Sequence, residues 1–174
     1  TRIAIRLSGS ERAMLDEAER TLVNLLRGEA GSVAGEKYSF VRATDAEQIA
    51  RAQELEAQGY EVTYLKPNAL GQITAEELKA ALRKDTILVS VMMVNNEVGS
   101  VMPIAQMAKL THKLCPDAIF HTDAVQGFLK VPFQAKTLGA DLISVSSHKV
   151  HGPKGVGALY ISPRLKSFPP LLLG

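Results

Sequence analysis

Two residues of opposite charge, Asp123 and Lys149, lie 26 residues apart, and each stands just past an apolar segment of strand length. In open α/β sheets, ligands bind at the carboxyl ends of the strands, so these two side chains are candidates for one crevice. A lysine that leaves a buried strand is unusual, and a desolvated amine can form an imine with an aldehyde. The plainer alternatives are that Asp123 caps a helix beginning near Ala124 and that the Lys149 side chain extends to solvent.

Further polar side chains stand near the ends of predicted strands, and they are Asn96, Gln126, Ser146 and His148. Pyridoxal 5'-phosphate (PLP) requires a lysine for its aldehyde, an acid for its pyridinium nitrogen and hydrogen-bond donors for its phosphate. These residue types together predict a PLP site, with Lys149 as the Schiff-base lysine. For the segment 95–99, which is rich in Asn and Gly, the alternative is a simple turn.

These residues can lie together only if the strands that precede them end at one edge of a sheet, and the sequence predicts such strands. Residues 86–94 are almost entirely apolar, which is typical of a central strand buried on both faces. Strand and helix patterns alternate, and this predicts an α/β fold: a three-layer α/β/α sandwich with a mostly parallel sheet. The predicted strands are 60–65, 86–94, 118–122, 142–146 and 156–161, and the predicted helices are 75–84 and 103–114.

Composition narrows the class of protein. Apolar residues make up 46% of the 174 residues and charged residues 22%, as in globular proteins in water. No apolar run approaches the roughly 20 residues that a membrane span needs, so no membrane partner is expected. The net charge is +2, and the sequence contains no basic stripe with interleaved aromatics, which argues against a nucleic-acid partner. The single cysteine, Cys115, excludes an internal disulfide and favours a reducing, cytoplasmic setting.

Three motifs resemble one known family, the NifS/IscS-type cysteine desulfurases. These are fold-type I PLP enzymes of the class V aminotransferase group. The resemblance covers residues 58–174. It implies that these residues have the fold of the large domain of the PLP-dependent transferases. The motifs are VMMVNNEVG at 91–99, HTDAVQ at 121–126 and SSHKVHGPKGVGALY at 146–160.

The resemblance assigns roles to the same residues. It implies that Lys149 holds PLP and shuttles protons, and that Asp123 binds the pyridinium nitrogen. Gln126 would bind the phenolic oxygen of the ring, and Ser146 and His148 would contact the phosphate. No metal ligands are implied.

It also implies an activity. Family members convert L-cysteine to L-alanine and pass the sulfur, as a persulfide, to an acceptor or scaffold protein. The sulfur serves iron–sulfur cluster assembly, thiamin synthesis or tRNA sulfuration, and the enzymes are homodimers. Asn96 would lie near the cofactor and the substrate carboxylate.

The sequence departs from the family at several points. No Gly-Thr-rich phosphate loop and no ring-stacking histidine precede residue 58, and the family's nucleophilic cysteine would follow residue 174. Cys115 is predicted to be a small core residue instead. Three alternatives to an active desulfurase therefore stay open: a selenocysteine lyase, another class V aminotransferase, or a non-catalytic fragment or scaffold with a vestigial PLP site.

Residues 1–57 do not match the family pattern. They predict strands at 1–7 and 38–41 and helices at 10–28 and 45–58. We therefore divide the chain into residues 1–57 and a PLP-binding core at 58–174. The first part fits a truncated paralogue, a fused or permuted chain, or a sequence with omitted segments.

Overall fold

The computed structural model describes residues 39–43, 56–57 and 59–166, and it contains a six-stranded sheet with helices. The strands are β1 (Ser39–Ala43), β2 (Glu61–Leu65), β3 (Thr86–Met92), β4 (Ile119–Asp123), β5 (Leu142–Ser146) and β6 (Gly157–Ile161). The helices are α1 (Ala75–Ala81), α2 (Ile104–Leu114) and the single turn α3 (Ala135–Leu138), and a 3-10 turn spans Ser147–Val150.

The sheet has the strand order β2-β1-β3-β4-β5-β6. The first five strands in this order run parallel, and β6 pairs antiparallel with β5. This confirms the predicted α/β class with a mostly parallel sheet. In the register, Met92 of β3 faces Asp123 of β4, which faces Ser144 of β5, so the carboxyl ends of these strands lie at one edge.

The local sequence accounts for the helix ends. The Thr74 hydroxyl accepts a hydrogen bond at 3.1 Å from the Glu77 backbone N–H, which caps the first turn of α1. The helix was predicted to reach residue 84, but Leu82 is already extended, with ψ of 134°. Its first residue, Ala75, is as predicted, and α2 begins at Ile104, directly after Pro103.

The main core lies between the sheet and the helices. α1 packs on α2, and α2 packs on α3 and β4, so these helices form one layer over one face. The strands contribute alternate residues, among them Val89 of β3, Phe120 of β4 and Ile143 of β5. β3 is almost entirely buried, as its apolar run predicted.

β1 lies between β2 and β3, although its residues come from the segment 1–57. This strand was predicted at 38–41 and is observed at Ser39–Ala43. The strand predicted at 1–7, the helix predicted at 10–28 and most of the helix predicted at 45–58 lie outside the described residues. The division of the chain between residues 57 and 58 stays a prediction.

A buried carboxylate, Asp141, fastens the amino end of β5 to its neighbours. Its oxygens accept hydrogen bonds from His112 Nε2 at 2.8 Å, from Arg164 Nε at 2.7 Å and from the Phe120 N–H at 2.8 Å. Burial alone raises the pKa of Asp141, but these donors outweigh it and bring the pKa down to about 2. Arg164 also donates to the Pro116 carbonyl at 2.6 Å, which ties the segment after β6 to the start of β4.

We expect Asp141→Asn to lower the free energy of unfolding at pH 7 by about 2 kcal/mol, because charge-assisted hydrogen bonds are lost inside the fold. The pKa of Asp141 is lowered in the folded state, so the carboxylate stabilises the chain above its ordinary pKa of 3.8. That stabilisation disappears as the pH falls toward about 2. Urea unfolding of the wild type and of Asp141→Asn between pH 7 and pH 2 measures the difference in their free energies of unfolding. This difference should shrink below about pH 4.

Asp85→Asn is the matched control. Asp85 pairs with Arg83 at 2.7 Å, but both side chains are exposed, and solvent screens such a pair so that it contributes little to stability. An Asp141 variant as stable as the Asp85 variant would contradict the anchoring role.

Candidate active site

Asp123 ends β4 as a buried carboxylate, with 7% of its surface exposed. Its Oδ1 accepts a hydrogen bond from the Val125 N–H at 2.8 Å. The alternative of a helix that begins near Ala124 is not observed, since residues 125–130 form consecutive turns. The acid therefore closes a turn over its own backbone and does not cap a helix. Strand alternation directs its side chain to the face of the sheet opposite the helices.

Lys149 lies in the 3-10 turn that follows β5 directly. The N–H of Gly152 donates to the Ser147 carbonyl at 2.9 Å, and the N–H of Ser147 donates to the Val156 carbonyl at 3.0 Å. His151 ends the turn with φ of 64°, in the left-handed region that few non-glycine residues adopt. The backbone around Lys149 is therefore tightly closed.

The Lys149 side chain is half-buried. Within residues 39–43, 56–57 and 59–166, no hydrogen bond or ion pair engages its amine. Beside it, the Ser146 hydroxyl and the His148 Nδ1 atom lie 2.8 Å apart. Ser146 is buried at the end of β5, so a hydroxyl, an imidazole and an amine follow one another at the strand end.

Asn96 and Gln126 occupy turns at the same edge. Asn96 is exposed, and its Nδ2 donates to Glu97 Oε1 at 2.7 Å. Gln126 is half-buried, and its Oε1 accepts from Lys130 Nζ at 3.0 Å. Both amides are thus held by surface partners in this structure.

The carboxyl ends of β4 and β5 therefore bring four predicted site residues to one edge, namely Asp123, Ser146, His148 and Lys149. This donor set contains the acid, the amine and the hydroxyl and imidazole groups that PLP requires, so the residues present fit this cofactor. No group of His, Cys, Asp or Glu side chains suited to a metal ion occurs in the described part of the chain.

A buried polar row, which the sequence did not predict, lies next to this site. His121 Nδ1 lies 2.8 Å from the Ser90 hydroxyl, and His121 Nε2 lies 3.2 Å from the Ser144 hydroxyl. A histidine inside an apolar strand is a signal in itself, since polar side chains are buried only with partners. Its serine partners lie 31 and 23 residues away in sequence, beyond the reach of any local pattern.

Cys115 is buried, as predicted for a core residue. Burial raises the pKa of this thiol, and its Sγ donates to the Arg83 carbonyl at 3.0 Å. A thiol in this state is a poor nucleophile, because the thiolate is the reactive form. Separately, none of the helices among the described residues is long and apolar enough to span a membrane.

Comparison with family models finds the aminotransferase class-V family over residues 32–174. The chain therefore belongs to the class V aminotransferase family, whose members depend on PLP. This confirms the resemblance drawn from the motifs at 91–99, 121–126 and 146–160.

Curated relatives are cysteine desulfurases. The chain is 50% identical over 114 residues to cysteine desulfurase IscS of Anaeromyxobacter dehalogenans, covering 64% of this chain and 28% of that protein. It is 47% identical over 122 residues to a cysteine desulfurase of Nostoc sp., covering 70% of this chain and 30% of that protein. The match thus spans less than a third of the length of these relatives.

Solved structures agree with this assignment. A NifS-like protein superposes with a TM-score of 0.77 at 30% identity, over 91% of this chain and 43% of that one. SspA in complex with cysteine superposes with a TM-score of 0.71 at 34% identity, over 83% of this chain and 42% of that one.

We expect Gly152→Ala to destabilise the chain by about 1–3 kcal/mol, as overpacking does. The new methyl carbon would lie 2.9 Å from the Ser147 Cβ and 3.0 Å from the Ser147 carbonyl oxygen, so the backbone of the lysine turn must shift. Thermal unfolding measures the effect. Lys154→Ala, an exposed change in the same loop, is the control, and equal melting temperatures for both variants would refute the tight contact.

Proposed function

We propose that this chain forms the PLP-binding core of a cysteine desulfurase, which converts L-cysteine to L-alanine and transfers the sulfur as a persulfide. One observation carries the proposal: an acid that ends one strand and a lysine that follows the adjacent parallel strand lie at the same edge of the sheet. The family membership and the desulfurase names of the relatives support it.

Asp123 supplies a negative charge where the cofactor ring needs one. In this proposal its carboxylate would accept a hydrogen bond from the protonated pyridine nitrogen. The Val125 N–H donates to one carboxylate oxygen at 2.8 Å and fixes its position. PLP, when bound beside such an acid, supplies an electron sink for negative charge on the substrate Cα.

Lys149 is the residue that we propose attaches the cofactor and moves protons. Its amine has no competing ion pair among the described residues, and its half-buried position limits solvation. As a base it takes the proton from the substrate Cα, and as an acid it returns a proton to the product.

Four further polar residues complete the proposed site. The Ser146 hydroxyl and the His148 imidazole, 2.8 Å apart, are suited to donate hydrogen bonds to the phosphate. Gln126 would bind the phenolic oxygen, which requires its amide to leave Lys130. Asn96 would lie near the cofactor and the substrate carboxylate.

Sulfur transfer needs a thiolate that residues 1–174 do not supply, because their single cysteine is the buried Cys115. That thiolate attacks the substrate sulfur, a sulfur–sulfur bond forms, and the carbon–sulfur bond breaks. The electron pair stays on carbon, which takes a proton to give alanine. The persulfide then passes to an acceptor or scaffold protein, as in iron–sulfur cluster assembly.

The substrate, the compartment and the oligomeric state are proposed for the whole protein. A structural neighbour was solved with cysteine bound, which supports L-cysteine as the substrate class. We propose a cytoplasmic homodimer, on the pattern of the family. Products distinguish the relatives: alanine with sulfide from cysteine indicates a desulfurase, and selenide from selenocysteine indicates a lyase.

We expect Lys149→Ala to abolish covalent attachment of PLP. The wild-type chain, mixed with PLP, should show a visible absorption band that borohydride fixes, and mass mapping should find the cofactor on Lys149. The variant should show neither. Lys154→Ala is the control, since this lysine is exposed in the neighbouring loop. A cofactor still fixed to the Lys149→Ala protein would refute the assignment, and no band in the wild type would favour a scaffold with a vestigial site.

We expect Asp123→Asn to leave the attachment point unchanged and to weaken PLP binding about tenfold, the equivalent of about 1.4 kcal/mol. The amide keeps the size of the side chain but removes the charge that faces the ring nitrogen. Absorbance titration gives the dissociation constant, and mass mapping gives the attachment point. Unchanged affinity in this variant would show that Asp123 does not face the cofactor.

A further inference from the structure

The buried polar row beneath Asp123 consists of Ser90, His121 and Ser144, one residue from each of β3, β4 and β5. His121 Nδ1 lies 2.8 Å from the Ser90 hydroxyl, and His121 Nε2 lies 3.2 Å from the Ser144 hydroxyl. His121 and Ser144 have no exposed surface, and Ser90 has 6%. The imidazole therefore links three parallel strands inside the protein.

The row lies on the same face as Asp123. His121 and Asp123 are two residues apart on β4, so their side chains share one face of the sheet. Ser144 is the register neighbour of Asp123 as well as a partner of His121. The polar row thus borders the carboxylate on the side away from the strand end, and the Val125 N–H holds it from the other side.

Each ring nitrogen of His121 lies within hydrogen-bond distance of a serine hydroxyl, and a hydroxyl can either donate or accept. Burying three polar side chains in a central sheet is unfavourable compared with an apolar filling, even when all are paired. Fixed polar networks do, however, impose one arrangement on the groups around them.

We propose that His121 is a positioning residue for Asp123. Through Ser90 and Ser144 it fixes the spacing of the three strand ends and holds the Asp123 carboxylate in the orientation that meets the cofactor ring. The inference rests on the proposed function for its link to PLP, whereas the orientation of the carboxylate is a property of the chain itself.

Three variants and one control test this role. His121→Leu removes both hydrogen bonds, and Ser144→Ala removes one of them. His121→Gln keeps a donor and an acceptor and should therefore retain the positioning of Asp123. Thr122→Val is the matched control, because Thr122 is equally buried on β4 but faces the helices and donates to the Val91 carbonyl at 2.9 Å.

The first measurement is the PLP dissociation constant, by absorbance titration of the full chain. We expect about tenfold weaker binding in His121→Leu and in Ser144→Ala, and wild-type affinity within about threefold in His121→Gln and Thr122→Val. Urea unfolding of each variant shows whether the stability losses are comparable. If His121→Leu fails to fold, Ser144→Ala provides the comparison.

The second measurement needs no cofactor. Hydrogen exchange of the Val125 amide, followed by NMR, reports on the hydrogen bond that this N–H makes to Asp123 Oδ1. We expect exchange about tenfold faster in His121→Leu than in Thr122→Val at matched stability.

The outcomes separate the two proposals. A wild-type chain that binds no PLP refutes the proposed function, and the Val125 exchange rates then decide the positioning role alone. A wild-type chain that binds PLP, with His121→Leu matching Thr122→Val in affinity or in exchange, overturns the positioning role. In that case the row only stabilises the sheet.

Discussion

The parallel pairing of β3, β4 and β5 is the constraint on which the site depends. Because the strands share a direction and a register, Met92, Asp123 and Ser144 stand side by side, and the following turns emerge at one edge. An antiparallel neighbour would send its carboxyl end to the opposite edge. An acid and an amine from separate strands can therefore act together only because the parallel sheet brings both strand ends to one edge.

The charged side chains at the two ends of the sheet differ in whether other side chains pair with them. At the amino end of β5, Asp141 gathers donors from α2, from β4 and from the segment after β6, and its pKa falls to about 2. At the carboxyl end, the Lys149 amine has no such partner among the described residues. A charge that is fully paired stabilises the fold, while a charge left without a partner is available to a ligand.

Local patterns predicted the strands well because each buried run is short, apolar and ended by polar residues. For the same reason they predicted that Asp123 and Lys149 lie at strand ends, which is where the structure places them. They failed where a contact joins distant segments: nothing near Ser90 shows that it meets His121, and nothing near Asp141 shows that Arg164 reaches it. They also left open a helix after Asp123, where the Asp123 carboxylate accepts from the Val125 N–H and the chain forms turns instead.

The two faces of the sheet explain why a central strand carries a histidine. The face under the helices is filled by apolar side chains such as Val91 and Phe120, and it makes the main core. The opposite face carries Ser90, His121, Asp123 and Ser144 in adjacent register, all buried. An apolar residue at position 121 would be easier to bury, but it would leave the hydroxyls of Ser90 and Ser144 without their histidine partner. The Asp123 carboxylate would then have no hydrogen-bonded row beside it. On the proposed function, this polar face would extend the site by one residue pair into the sheet.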